Sequence, residues 1–328
     1  MTIPKPKISL VIAARNDDYG GDFLNRISTC LKILNYQVNK NKVPAELIII
    51  EYNPPNNKQL LSEVLQINKS DFLSIRFINV PSKFHQDLAQ GSKNPFFEYV
   101  AKNIGIKRAN GEFILATNPD IIFSEEFIKF ISNDQLEKNK FYRINRHDLP
   151  AHIFGEVSTE KEILDWCKNH VIRIMTNNGI LFFNTKRWLK RFLKRPTFSH
   201  LLRLPLFNFL TERKIKLDPN RISGAAAGDF IMAHSDAWHK VRGYDQIPFN
   251  SFVDGYNVHM FHCYGFEQQI LPYPVYHMGH KTSNNSRKQP DFKTYLDTVS
   301  KMDETKIPYK KYPEDWGFPD IDFKEIVI

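Results

Sequence analysis

The sequence of 328 residues predicts an α/β protein in which one mixed sheet is flanked by helices. In the first third of the chain, short apolar runs typical of buried strands alternate with stretches whose apolar residues recur every three or four positions, as on one face of a helix. Polar residues gather directly after several of the apolar runs. Strands and helices in this order favour a largely parallel sheet with right-handed crossovers, in which ligands bind at the carboxyl ends of the strands.

The first strand is predicted over residues 8–14, where an almost unbroken apolar run is typical of a strand covered on both faces. It ends in the polar cluster 15–18, which would deliver a loop to the edge of the sheet. After the break at Gly20 and Gly21, helical spacing predicts the first helix. Its buried stripe comprises Phe23, Leu24, Ile27, Leu31 and Leu34.

The next strands are predicted over 47–50, 73–80 and 113–117 on the same grounds. A turn rich in Pro and Asn follows the second strand, and a helical stripe covers 60–65. The helix before the fourth strand has the strongest signals, because Asn94 is a good N-cap, Pro95 suits a first helical position and Gly111 suits the end. The polar strand ends are 14–18, 51–53 and 117–120, which predicts a ligand site there.

The chain divides into three parts by pattern. Residues 1–134 carry the strand and helix alternation, 135–222 are more basic and are predicted to be an irregular or mostly helical insertion, and 223–328 return to regular structure. In this last part we expect a strand, a short helix and a longer helix at 225–234, 235–241 and 253–264. No internal repeat or low-complexity tract is visible.

Composition narrows the classes of partner. Lys and Arg number 45 against 36 Asp and Glu, and the net charge of +9 favours a polyanion, an anionic membrane or a substrate that carries phosphate. Three widely spaced cysteines exclude a disulfide framework and a zinc cluster, which favours a reducing compartment. The initial apolar run is too short for a secretion signal and no 18-residue apolar stretch exists, so a cytoplasmic location is expected.

A basic segment within the insertion alternates pairs of cations with pairs of apolar residues, which predicts an amphipathic helix. Two interpretations stay open: the helix lies on the cytoplasmic face of an anionic membrane, where each cation would contribute about 1 kcal/mol, or it packs on the core with a solvated basic back. Nucleic acid is not an expected partner, because the aromatic residues are not interleaved with the basic ones in a stacking arrangement and no recognition motif occurs. The six cations are Lys186, Arg187, Lys190, Arg191, Lys194 and Arg195.

The segment A-K-N-I-G-I-K-R-A-N-G-E-F-I-L-A-T-N-P-D, residues 101–120, resembles the helix, strand and acidic turn of the family 2 nucleotide-sugar glycosyltransferases. In the order of that family, 9–16 resemble the first strand and nucleotide loop, 46–55 the second strand, and 228–245 the acceptor-side strand and helix. The resemblance implies the GT-A fold, a Rossmann-like mixed sheet. It makes 1–134 the donor-binding half and 223–328 the acceptor-side half with the catalytic base.

The resemblance further implies that a nucleoside diphosphate sugar of the UDP or GDP type binds along the polar strand ends. Each of these positions also has a plainer interpretation as a surface loop, a strand end or a solvated helix face. Lys281 would meet the leaving diphosphate as a point charge. The implied donor-binding residues are Ala13, Ala14, Arg15, Asn16, Glu51, Asn53, Lys102, Asn103, Asn118, Asp120 and Lys281.

A divalent cation, Mn²⁺ or Mg²⁺, is implied by the acidic turn, where Asn118-Pro119-Asp120 stands in place of Asp-x-Asp. Asp120 keeps the acid that usually contacts the metal, although an Asp at this place can also order a turn or cap the next helix. His277 and His280 in V-Y-H-M-G-H-K are the further metal candidates. One carboxylate with imidazoles, waters and phosphates can complete such a shell.

The implied reaction is transfer of the sugar to a saccharide or glycolipid acceptor, with inversion. Asp254 is the predicted base and Asp229 the second candidate, since an inverting transfer needs a carboxylate that accepts the acceptor's hydroxyl proton. Asp254 also fits an N-cap. The alternative is a non-catalytic protein that binds nucleotide-sugar or glycan, because Asn118 and Val253 replace usual acids. Sugar-phosphate nucleotidyltransferases and nicotinamide dehydrogenases are excluded by the lack of a Gly-rich loop after the first strand.

Overall fold

The computed structural model describes residues 5–155, 157–176, 179–182, 189, 193, 222–248, 250–281 and 292–328. Its strands are β1 Ile8–Ala14, β2 Ala45–Tyr52, β3 Leu73–Val80, β4 Phe113–Thr117, β5 Ile121–Phe123, β6 Lys140–Asp148, β7 Arg173–Thr176, β8 Gly179–Phe182, β9 Phe230–His234, β10 Glu267–His277 and β11 Lys324–Val327. Its helices are α1 Phe23–Lys40, α2 Leu61–Val64, α3 Ser82–Ala89, α4 Glu98–Lys107, α5 Glu125–Ser132, α6 Glu160–Asn169, α7 Ser235–Val241, α8 Val253–Cys263 and α9 Phe292–Thr305.

The described strands form one mixed sheet in the order β11-β3-β2-β1-β4-β9-β6-β10-β5, with β7 beside β6 and β8 beside β7. The pairs β1–β2, β2–β3, β1–β4 and β6–β10 are parallel, and the other pairs are antiparallel. Following these directions along the sheet, β1, β4, β6 and β10 all run the same way. Their carboxyl ends therefore meet at one edge, where the antiparallel β9 begins.

Helices cover the central sheet on both faces, as the unbroken apolar strands predict. In β2, Leu47 and Ile49 join the core under α1 and α5, whereas Ile48 and Ile50 join the core under α4, α7 and α8. Alternate residues of one strand thus serve two cores, and a run that is apolar throughout is the result. The α/β fold class with a single mixed sheet is confirmed.

Several local expectations need correction. Asn94 does not cap α4, which begins at Glu98; its side chain instead accepts a hydrogen bond from Phe96 N at 3.2 Å, and Asn250 Oδ1 accepts from Glu98 N at 3.0 Å. The stripe at 60–65 forms only the four-residue α2. Helix α3 was not expected. Its sequence, S-K-F-H-Q-D-L-A, carries too few apolar residues for a clear stripe.

The range 135–222 contains more sheet than its pattern indicates. Strand β6 lies between β9 and β10 in the centre of the sheet, and β7, β8 and α6 follow it. The six cations of the basic segment lie outside the described residues. Of that segment, Leu189 and Leu193 are described: both are helical and exposed, at 46% and 71%. No helix in the described part of the chain is long and apolar enough to cross a bilayer.

Candidate functional site

The candidate site lies at the sheet edge where β1, β4, β6 and β10 end. Asp120 follows β4, Asp148 ends β6 and His277 ends β10. In the parallel β6–β10 pair, His277 lies directly opposite Asp148, and in the antiparallel β10–β5 pair it lies opposite Ile121. Strand register therefore brings together side chains that are far apart in sequence.

Asp120, His277 and His280 form a cluster able to hold a metal ion. One ligand atom from each lies within 4.8 Å of the other two, and Asp120 Oδ2 is 3.4 Å from His280 Nε2 and 3.7 Å from His277 Nε2. Asp120 Oδ1 is buried and has no hydrogen-bond partner in this structure. One carboxylate and two imidazoles are a donor set that can hold a divalent transition metal ion.

The turn that carries His280 is held against the loop after β1. Met278 N donates to Asp120 O at 3.0 Å, and Lys281 N donates to Gly20 O at 3.1 Å. Gly20 has a φ of +75°, and a Cβ there would lie 2.6 Å from His280 Nδ1. This close approach requires glycine. The backbone of Lys281 is thus held against the loop after β1.

Asp148 is a further acid at this edge that the sequence analysis missed. Its Oδ1 lies 3.2 Å from His277 Nδ1, and its side chain also pairs with Arg146 and Arg173. Burial acts to raise the pKa of Asp148, but His277 and the two arginines lower it below its ordinary value. For His277, burial lowers the pKa while Asp120 and Asp148 raise it, and the net pKa is above the ordinary value.

The predicted nucleotide loop begins at Arg15. Ala13 and Ala14 are buried in β1, in register with Ile50 and Glu51 of β2. Arg15 Nε donates to Asn53 O at 2.6 Å, and the guanidinium pairs with Asp17 at 2.5 Å. These contacts join the loops after β1 and β2 into one surface beside the metal cluster.

Three residues predicted to contact the donor on this surface have their polar groups largely hydrogen-bonded to other parts of the protein. Asn16 donates to Gln59 O at 2.9 Å, and Asn53, with a φ of +49°, donates to Pro95 O at 2.7 Å. Glu51 accepts from Leu61 N through both oxygens and is 1% exposed. Its burial raises its pKa to about 7, which the hydrogen bond from Leu61 partly opposes.

Lys102 and Asn118 belong to a buried hydrogen-bonded chain. The Lys102 ammonium is fully buried and donates to Glu98 at 2.7 Å, to Asn118 Oδ1 at 2.7 Å and to Gly228 O at 2.8 Å. Asn118 Nδ2 in turn donates to Asp229 at 2.8 Å. The polar groups of both residues are thus hydrogen-bonded to other protein groups below the surface of the site.

Asn103 is not brought to the site. It is fully buried in α4, where its amide accepts from Tyr244 N at 2.7 Å and donates to Tyr244 O at 2.8 Å. The pair of bonds fixes the turn after α7 against α4. The predicted donor contact by Asn103 therefore has no support in the structure, because the side chain faces the core.

Asp229 lies where β9 begins, at the same edge of the sheet. Its carboxylate pairs with Arg146 at 2.5 Å and is 5% exposed. Burial acts to raise the pKa of Asp229, but the charges of Arg146 and His277 outweigh it and lower the pKa. A carboxylate so firmly held in its ionised form is poorly matched to accept a proton near neutral pH.

Asp254 occupies the first turn of α8, one residue after the helix begins, so the N-cap interpretation is wrong; Phe252, at a φ of +62°, precedes the helix. Asp254 Oδ2 accepts from Gly228 N at 2.7 Å. Gly228 packs closely against this carboxylate, since an added Cβ would lie 2.7 Å from the Tyr99 hydroxyl and 3.3 Å from Asp254 Oδ2. Burial, then the charge of Glu98, raise the pKa of Asp254 above its ordinary value.

No protein-family model matches the sequence. No curated protein shows significant sequence similarity to it either. Among solved structures, the chain is similar in fold to S. aureus TarS 1-349 in complex with UDP-GlcNAc, at 13% identity and a TM-score of 0.49, covering 94% of this chain and 68% of that one.

Two further solved structures are similar at lower scores. Mannosyltransferase PcManGT from Pyrobaculum calidifontis, in complex with GDP-Man and Mn²⁺, has 7% identity and a TM-score of 0.46, covering 86% of this chain and 59% of that one. The catalytic domain of Drosophila beta1,4galactosyltransferase 7, in complex with xylobiose, has 8% identity and a TM-score of 0.41, covering 93% and 82%.

Proposed function

We propose that the protein is a glycosyltransferase of the GT-A type, close to family 2, that transfers a sugar from a nucleoside diphosphate sugar to a saccharide or glycolipid acceptor. The observation that carries this proposal is the convergence of Asp120, His277 and His280 at the carboxyl edge of the sheet. A metal-binding cluster beside the loop after the first strand is suited to a diphosphate. No Gly-rich phosphate loop competes with it as an anion site in the sequence.

The donor would lie along the loops after β1 and β2, with its diphosphate toward the metal cluster. Arg15 and Asn53 would border the nucleoside end of this surface, with Glu51 buried behind it, and a UDP or GDP type of donor is proposed. Lys281 would carry a compensating charge for the leaving diphosphate. A bound Mn²⁺ or Mg²⁺ would neutralise charge that develops on the diphosphate as the sugar departs.

Asp254 is the proposed general base. Its carboxyl is partly buried and its pKa is raised, which moves it toward the range in which a base accepts a proton efficiently near neutral pH. It would take the proton of the acceptor hydroxyl as that oxygen attacks the anomeric carbon opposite the leaving nucleotide, with inversion. Asp229 is the weaker candidate, because Arg146 holds it ionised.

The acceptor would approach from the side of α8 and α9. Phe252 and Tyr295 stack there with ring centroids 4.6 Å apart and an interplanar angle of 14°, and a Cβ at Gly255 would lie 2.5 Å from the Tyr295 hydroxyl. Aromatic rings beside a few polar groups are the usual lining of a small-molecule site. This arrangement next to Asp254 supports a saccharide, and for a glycolipid its sugar end.

Attachment to the cytoplasmic face of an anionic membrane is proposed for the basic segment 186–195. Its support is the alternation of cations and apolar residues, together with the exposure of Leu189 and Leu193. Exposed apolar side chains on a helix with cations opposite are typical of interfacial binding. Such attachment would suit a glycolipid acceptor.

A thermal-shift panel of UDP, GDP, CMP and dTDP sugars, each with and without Mn²⁺, tests the donor part of the proposal. A ligand at 100 times its dissociation constant adds about 2.7 kcal/mol to stability, so a matching donor gives a clear shift that Mn²⁺ increases. Release of nucleoside diphosphate is then measured with the best donor. Stabilisation without release would favour the non-catalytic binding protein, and no stabilisation by any donor would contradict both.

A further inference from the structure

We infer that Asp148 is a positioning residue for the metal site: its carboxylate holds the His277 imidazole so that Nε2 faces Asp120 and His280. The inference rests on the proposed metal site. It concerns a residue that does not itself reach the ion position, since Asp148 contacts the opposite side of the His277 ring.

The backbone fixes this pairing. Asp148 and His277 are the terminal register partners of the parallel β6–β10 pair, and Leu149 N donates to His277 O at 3.0 Å just beyond them. Asp148 is 2% exposed, and its Oδ1 lies 3.2 Å from His277 Nδ1. The sheet therefore holds the main chains of both residues side by side at this edge.

Two arginines fix the Asp148 carboxylate in turn. Arg146 Nε lies 2.8 Å from Asp148 Oδ1, and Arg173 Nε donates to Oδ2. Arg146 also pairs with Asp229, so its own position is set from the turn before β9. The oxygen turned toward His277 makes no well-aligned hydrogen bond in this structure, which leaves it able to accept from the imidazole.

The chemical consequence is a choice of tautomer. A carboxylate beside Nδ1 favours the neutral imidazole with its proton on Nδ1, and this leaves the lone pair on Nε2 for a metal ion. Nε2 is the nitrogen that faces Asp120, at 3.7 Å. Loss of such an outer partner commonly weakens metal binding by about 10- to 100-fold.

The test uses Mn²⁺ alone, titrated into the full chain and followed by the electron paramagnetic resonance signal of the free ion. Asp148→Ala is expected to weaken Mn²⁺ binding about 10- to 100-fold. Asp148→Asn, which keeps an acceptor for Nδ1–H, is expected to recover part of the loss. Glu46→Ala is the matched control. Glu46 is a buried, ion-paired carboxylate near the amino end of β2, 3.0 Å from Arg76 Nε.

A second readout does not need the metal. Nitrogen-15 NMR of the histidine rings at alkaline pH should show His277 of the wild type mainly as the Nδ1–H tautomer, with this share reduced in Asp148→Ala and partly restored in Asp148→Asn. If the alanine variant does not fold, the tautomer of His277 in the wild type and in Asp148→Asn still decides whether Asp148 positions the ring.

The outcomes separate the two claims. Wild-type protein that binds Mn²⁺ while Asp148→Ala binds equally well, or that shows His277 as the Nε2–H tautomer, overturns the positioning role and leaves the metal site standing. Wild-type protein that binds no Mn²⁺ overturns the metal site, and the role of Asp148 falls with it. Equal weakening by Glu46→Ala would mark the effect as general destabilisation and overturn the inference.

Discussion

Replacing Asp254 by Asn tests the proposed base most directly, because the amide keeps the size of the side chain and can still accept from Gly228 N. The loss of a general base lowers turnover by about 10² to 10⁴. Such a loss corresponds to about 3 to 5 kcal/mol of transition-state stabilisation. Donor affinity should stay within about threefold, a change of less than 1 kcal/mol, since Asp254 is not one of the residues of the metal cluster.

The same substitution has a predictable effect on stability. The folded-state pKa of Asp254 is raised above the ordinary 3.8 by burial and by Glu98, so ionisation of this carboxyl opposes folding. Its favourable contribution is complete below the ordinary pKa and is lost as pH rises through the folded-state pKa. At neutral pH the Asn variant should therefore be at least as stable as wild type, and the difference should vanish in acid.

The assay combines release of nucleoside diphosphate at saturating donor with thermal unfolding measured from acidic to neutral pH. Glu46→Gln serves as control, since it alters a buried carboxylate that bonds Ser9 and Asn110 far from the site, and should leave turnover unchanged. The pH profile of wild-type turnover should fall on the acid side with an apparent pKa above 3.8, and the variant should lose this limb. Near-normal turnover in Asp254→Asn would refute the assignment, and Asp229 would then be tested.

Three further predictions concern the rest of the molecule. Asp120→Asn should weaken the binding of Mn²⁺ and of nucleotide-sugar together, each by about tenfold or more, because the same side chain supports both ligands. Calorimetric titration of the donor with and without Mn²⁺ checks this, and unchanged titrations would remove Asp120 from the site. Charge reversal in the basic segment should abolish salt-sensitive binding to anionic vesicles in a flotation assay; failure of the wild type to float at low salt would favour the core-packed helix. This charge-reversed variant replaces four cations of the segment by Glu: Lys190, Arg191, Lys194 and Arg195. Glu51→Gln should stabilise the fold at alkaline pH: the pKa of Glu51 is about 7 in the folded protein against 4.5 ordinarily, so wild type loses about 3 kcal/mol as pH rises through this window. Urea unfolding at acidic and alkaline pH measures it, and a pH-independent difference between the two proteins would contradict the shift.

The parts of the fold that the sequence predicts well are the strands that are apolar throughout, together with the polar residues that directly follow them. Strands β1 and β4 are buried on both faces, so their apolar runs report their position directly. The convergence of Asp120 with His277 and His280 followed from a rule about strand ends together with the family resemblance. It required no knowledge of the residues in between.

Strand β6 could not be predicted in this way. Its sequence, K-F-Y-R-I-N-R-H-D, has few apolar residues and ends in four polar ones, yet the strand is central and Arg143 and Asp148 are among its buried residues. Their charges are tolerated because their partners come from other parts of the chain: Arg143 donates to Ser223 O and Ala225 O, and Asp148 meets His277. Pairings of this kind have no periodicity, and the resemblance did not reach this segment. Asn103 was misjudged for the same reason, since its partner Tyr244 lies 141 residues away.

The neutral residue at the acidic turn has a physical explanation that does not require a lost activity. Asn118 accepts from the Lys102 ammonium and donates to the Asp229 carboxylate at the same time. An aspartate at this position would set two buried carboxylates about 2.8 Å apart, and one of them would have to take up a proton. Asp229 is ionised and paired with Arg146, and Arg146 also pairs with Asp148, which lies beside His277. With a neutral amide at position 118, negative and positive groups alternate along this series of contacts. A neutral amide at position 118 is thus compatible with the neighbouring acid, and Asp120 lies beside two imidazoles with which it could hold a metal ion.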